Sequence, residues 1–228
     1  MDEETLGPPV DGPAARAPER RPLGGRYVRL EPIDPATQGD ALFAVAHDGS
    51  PAATRIWTYL PYGPFADPDE MRAWLDGLVA SEDPLFFAVV GEAGPVWMVS
   101  FLNVDLPMRH LEIGHIWYAA AAQRTEANTE AAYLMLLEAF ERLGHRRVEW
   151  KCNALNERSK AAAVRLGFTF EGVFRQHMVV KGRNRDSAWF SMLDGEWPVN
   201  RAAFERWLAP ANFDAEGRQK RPLASFRP

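Results

Sequence analysis

Three stretches of the chain carry residue types that could do chemistry. In "QRTEANTEA", residues 123–131, a polar knot runs into an almost wholly apolar helical pattern. Unpaired backbone N–H groups and the positive end of the helix dipole meet at such a start, so the stretch reads as an anion cradle. It has no glycine, and it carries Glu126. In "LNERSKAAAVRLGF", Asn156 can cap a short helix in which Ser159 is the third residue and Gly167 the terminator. The strand-like "HLEIGHIWYA" offers two titratable groups, Glu112 and His115. Strand alternation sets Glu112 with Gly114 and Ile116 on one face, and His115 with Ile113 and Trp117 on the other. The lone Cys152, in "VEWKCNAL", reads as a small strand residue rather than a nucleophile, since no His-containing catalytic signature accompanies it.

Alternating elements must position these groups. "RYVRLEPI" is a strand, "ATQGDALFAVAHD" has helical spacing, and "DPDEMRAWLDGLVAS" opens with an Asp cap followed by Pro. "PLFFAVV" and "PVWMVSFLNV" are strands around the Gly91–Gly94 turn. "HLEIGHIWYA" follows, then a long helix from about Thr125 to Leu143, and then the strand "RRVEWKCNA". A short helix, a closing hairpin and a terminal helix complete the order. A helix crossing between neighbouring strands implies that they pair in parallel.

Composition narrows the class. The 228 residues are 46% hydrophobic and 25% charged, enough for one globular domain with tails. A formal charge of −5 disfavours a nucleic-acid partner, and no apolar run spans a membrane. A single cysteine makes a reducing cytoplasm the simplest home. Residues 1–22, rich in Pro and charge, read as a disordered arm, and residues 214–228 as a polar tail loose on the surface. Residues 23–213 are left as the domain.

The stretches "LEIGHIWYAAAAQRTEANTEAAYLML", "RVEWKCNALNERSKAAAVRLGFTFEGVFRQHM" and "VKGRNRDSAWFSML" resemble the GCN5-related N-acetyltransferase superfamily. Within it the chain looks most like the ribosomal-protein N-terminal acetyltransferase branch. The resemblance covers roughly residues 24 to 213. It implies an α/β (α+β) fold with a mixed, mostly antiparallel, splayed sheet of about seven strands flanked by helices. It also implies direct acetyl transfer from acetyl-CoA to an amine, with no metal. In that fold two parallel strands part, and their unpaired N–H and C=O groups can satisfy an amide-bearing pantetheine arm.

The same resemblance assigns roles. Gln123, Arg124, Thr125, Glu126, Ala127 and Asn128 would hold the pyrophosphate, with Glu126 where the family has glycine. A carboxylate there costs on the order of 1 kcal/mol in water, offset by Arg124 and by roughly 0.3–1 kcal/mol from the helix dipole. Asn156 and Ser159 match an Asn-x-x-Ser spacing that places a hydroxyl near the CoA sulfur. The family's glutamate base falls on Met178, which cannot accept a proton, so Glu112, His115 and His177 are the replacements. Of these, Glu112 is the preferred base. Trp57, Tyr59, Tyr62 and His177 would line the acceptor side. The expected partner is a small-molecule or peptide amine. An acyl carrier protein is the alternative donor, a non-catalytic ligand-binding protein of this fold is the rival class, and a homodimer is left open.

Overall fold

The computed structural model describes residues 7–92, 94–118 and 125–228. Eight strands form one sheet: β1 (Leu23–Gly24), β2 (Arg29–Pro32), β3 (Leu85–Gly91), β4 (Gly94–Asp105), β5 (His110–Tyr118), β6 (Arg147–Asn153), β7 (Thr169–Val180) and β8 (Arg183–Leu193). Their spatial order is β1-β2-β3-β4-β5-β6-β8-β7, and every neighbouring pair is antiparallel except β5 with β6. The parallel pair is the one the long helix was expected to join. Two-residue β1 brings the sheet to eight strands rather than about seven, since a strand that short leaves no alternation to read.

The helices are α1 (Pro35–Ala46), α2 (Pro51–Ile56), α3 (Pro68–Val79), α4 (Glu126–Leu137), α5 (Glu157–Leu166) and α6 (Trp197–Trp207). α4 runs on into a π-helical turn, Glu138–Arg142. The expected caps form. Asp67 accepts from the Glu70 N–H at 2.9 Å, and Asn156 from the Ser159 N–H at 3.2 Å. Gly167 ends α5 at φ 101°, where a side chain would strike Asn200. Six-residue α2 is too short for a helical period to show in the sequence.

Phe86, Phe87, Trp97, Phe101 and Phe190 fill the core on both faces of the central strands. Among the described residues, no helix is long and apolar enough to cross a membrane. The ends, expected to be loose, are anchored by a few residues that polar composition hides. The Arg16 N–H donates to the Leu143 carbonyl at 2.8 Å, and Arg21 pairs with buried Glu138. Leu223 is buried, and the Arg227 guanidinium donates to Asn200 and to the Arg165 carbonyl.

One buried carboxylate ties α4 to the sheet edge. Glu130 accepts backbone N–H groups from Arg26, Tyr27 and Val28, at 2.8, 2.5 and 2.9 Å. Gly25 makes room for it, since a Cβ there would lie 2.4 Å from the carboxyl group. Glu130→Ala would leave these donors, the buried Val28 N–H among them, unanswered, and we expect a loss of about 3 kcal/mol, read by denaturant unfolding.

Candidate active site

β5 and β6 pair through His110–Arg147, Leu111–Val148 and Glu112–Glu149, and no further. Beyond that rung β5 stays bonded to β4 and β6 to β8, so a gap opens between Gly114–Tyr118 and Trp150–Asn153. The facing backbone edges of this gap have no ladder partner in each other, and an extended amide-bearing chain is what such edges take.

Two helix starts flank the gap. α4 begins at Glu126 with Thr125 at the N-cap, and helix geometry leaves the first N–H groups, from Glu126 to Asn128, without partners inside the helix. Gln123 and Arg124 lie outside the described residues. Glu126 is half-buried, and its carboxylate sits beside Gly217 of the C-terminal segment. At α5 the Ser159 hydroxyl accepts the Trp150 indole N–H at 3.0 Å. An indole only donates, so the Ser159 hydroxyl keeps its own hydrogen for another acceptor. Cys152 lies within reach of that hydroxyl, and burial pushes its thiol up, which suits a packing residue.

Glu112 stands at the apex of the gap, 5% exposed. Its Oε2 accepts from Lys151 Nζ at 2.6 Å and from Asn103 Nδ2 at 2.7 Å. Burial pushes its carboxyl group up, against the pull of Lys151 and Asn103. Oε1 faces Gly114, where a Cβ would lie 3.3 Å from it and 2.9 Å from the end of the Leu102 side chain, so a larger residue there would crowd both side chains. Lys151 also reaches Glu149 at 3.8 Å and lies over the Trp189 ring at 4.2 Å. Arg147 bonds Glu149 at 2.8 Å and grips Glu171 with both terminal nitrogens.

His115 does not sit where alternation puts it. Between the pairs Met98–Trp117 and Ser100–Gly114, β5 carries two residues against one on β4, a β-bulge, and His115 takes φ 52°. Its ring comes to 5.0 Å from that of Phe86 and stacks on Tyr62. Phe86 pairs with Ser100, and Ser100 with Gly114, so His115 shares the face of Glu112 after all. Burial, aided by Arg185, lowers its pKa to about 4, so the imidazole is neutral at pH 7. Trp57 and Tyr62 lie on the same side, buried with Phe65 and Trp117, and Tyr59 donates to the Leu155 carbonyl across the cleft. The exposed His177 is held by Ser187 at 2.9 Å and packs edge-on to Trp189.

Four further residues shape the site: Asn103, Lys151, Lys181 and Arg185. Lys181, at the β7–β8 turn, donates to the carbonyls of Trp57, Tyr62 and Gly63 and so pins the aromatic segment. Lys151 was findable, since parallel pairing of Glu112 with Glu149 calls for a cation on that face. Asn103 reaches Glu112 by its side chain from the neighbouring strand, and Lys181 acts through distant loop backbone, contacts that no local pattern reveals.

The family model for the acetyltransferase (GNAT) domain matches residues 28–169. The solved structure of a GCN5-related N-acetyltransferase from Brucella melitensis is 46% identical with a TM-score of 0.91, over 94% of this chain and 97% of that one. YdaF of Bacillus subtilis, provisionally named a ribosomal N-acetyltransferase, is 35% identical over 100 residues, 44% of this chain. This chain spans 54% of the length of that relative. The fold also matches Mycobacterium smegmatis RimJ in complex with CoA-disulfide, at 20% identity and TM-score 0.67, over 81% of this chain and 89% of that one.

Neutral His115 has a consequence for stability. Its folded pKa lies below its unfolded 6.5, so the unfolded chain binds the extra proton first. Stability is therefore full above pH 6.5 and is lost as pH falls toward 4, by on the order of 3 kcal/mol. Unfolding of His115→Phe across that range should show a flatter pH dependence than the parent.

Proposed function

This chain belongs to the GNAT acetyltransferase family, and from that premise we propose that it is RimJ-like within it and acetylates a primary amine of a small molecule or peptide, with acetyl-CoA as donor. The observation that carries the reading is the parting of β5 from β6 just beyond Glu112, with the Ser159 hydroxyl beside the gap. RimJ, which shares the fold, was solved with CoA-disulfide.

A thioester supplies an electrophilic carbonyl; the amine nitrogen bonds to that carbon as the carbon–sulfur bond breaks, and the sulfur leaves as a thiolate. The residues of this chain have three tasks. The open edges of β5 and β6 hold the arm extended, and a backbone N–H there polarises the carbonyl. The first turn of α4 receives the pyrophosphate through main-chain N–H groups.

Proton movement falls to two side chains. Amines are mostly protonated at pH 7, and Glu112 accepts the ammonium proton at Oε1, directly or through one water. Lys151 and Asn103 fix Oε2, which leaves Oε1 as the oxygen open to the acceptor. Ser159 donates its hydroxyl hydrogen toward the departing sulfur, because Trp150 already occupies a lone pair of its oxygen.

The test is thiol release from acetyl-CoA in the presence of amines. At saturating donor, Ser159→Ala should slow turnover by about tenfold or more while unfolding shifts by only about 1 kcal/mol. Unchanged turnover would remove the leaving-group role.

A further inference from the structure

Among the described residues, every arginine that is not exposed makes a hydrogen bond or an ion pair, except Arg185. Its Nε is fully buried and has no partner. Arg185 as a whole is half-buried, and a guanidinium drawn partly out of water is usually paired, because removing the charge from water is otherwise expensive. No structural partner explains this one.

Its position explains more. Arg185 lies on β8 two residues before Ser187 and four before Trp189, so it faces the same side as Lys151 and Glu112. Glu112 is the carboxylate whose charge acts on it, yet Glu112 is already bonded to Lys151 and Asn103. The guanidinium is felt by His115 on one side and by His177 on the other. It thus stands in the acceptor half of the cleft, on the β7–β8 hairpin whose turn holds the aromatic segment through Lys181. The Tyr62 hydroxyl, whose ring stacks on His115, is likewise buried without a partner. A cation in that place repels a bare ammonium, and Lys151 adds to the repulsion.

We propose that Arg185 receives an anionic group, a carboxylate or a phosphate, of the acceptor, so that the substrate is an amine carrying its own negative charge. The anion is held at Arg185 while the amine is turned toward Glu112. This rests on the acetyltransferase reading only for the amine; the anion site itself stands on Arg185. It makes Arg185 a specificity-determining residue, and a guanidinium suits either anion through its forked donors.

The test uses matched acceptors in the full-length protein: β-alanine against its amide, and phosphoethanolamine against ethanolamine, with thiol release from acetyl-CoA as readout. The charged member of at least one pair should have the higher kcat/KM, by tenfold or more, and which pair shows this separates carboxylate from phosphate. In Arg185→Met that advantage should fall at least tenfold, and Arg185→Lys should restore part of it. A merely structural role would slow both members alike. In parallel, inorganic phosphate is titrated while the His177 ring is followed by NMR, and the signal should move in the parent and stay still in Arg185→Met. Equal use of both members, or an advantage that survives Arg185→Met, overturns the proposal. So does a panel that is not turned over together with a His177 signal that phosphate leaves unmoved. Phosphate binding at Arg185 without any acetyl transfer would instead sink the acetyltransferase reading and leave the anion site standing.

Discussion

Glu112 and Glu149 face one another across the last rung of the parallel pair, β5 with β6. Like charges directly opposite destabilise strand pairing. Lys151 lies between them, and Arg147 takes up the remaining charge of Glu149. The pairing ends here, and the two strands follow their other neighbours apart. Everything assigned to function is arranged around that point. The gap begins there, and the candidate base sits there.

The acceptor side depends on the same rung through a second device. The bulge in β5 comes directly after Gly114 and turns His115 onto the side of Glu112. There its ring joins Tyr62 and Phe86 in an aromatic wall. Lys181 fixes the wall from the far side by holding three backbone carbonyls of the segment that carries Trp57 and Tyr62. A lysine has three donors, and all of them are used here. The wall is therefore built from segments far apart in the chain, residues 57–63, 86, 115 and 181.

Much of this was legible in the sequence because it is local. Asp67 with Pro68, and Asn156 with Gly167, mark helix ends by rules that act within a few residues. The crossover from β5 to β6 dictated a parallel pair, and the quoted family stretches located its gap. Alternation failed at His115, since a bulge changes the count by one and leaves no mark in residue type. Arg185 went unread for a different reason. In "GRNRDSAWF" it is one arginine among several, and only tertiary burial without a partner distinguishes it.

The central claim is that an extended donor arm lies against the backbone edges that β5 and β6 leave open. Amide hydrogen exchange with and without CoA reads those edges one residue at a time. Slower exchange confined to Gly114–Tyr118, Trp150–Asn153 and the first turn of α4 is the expected result. Protection that appears elsewhere, or none at all at CoA concentrations that saturate binding, would contradict it.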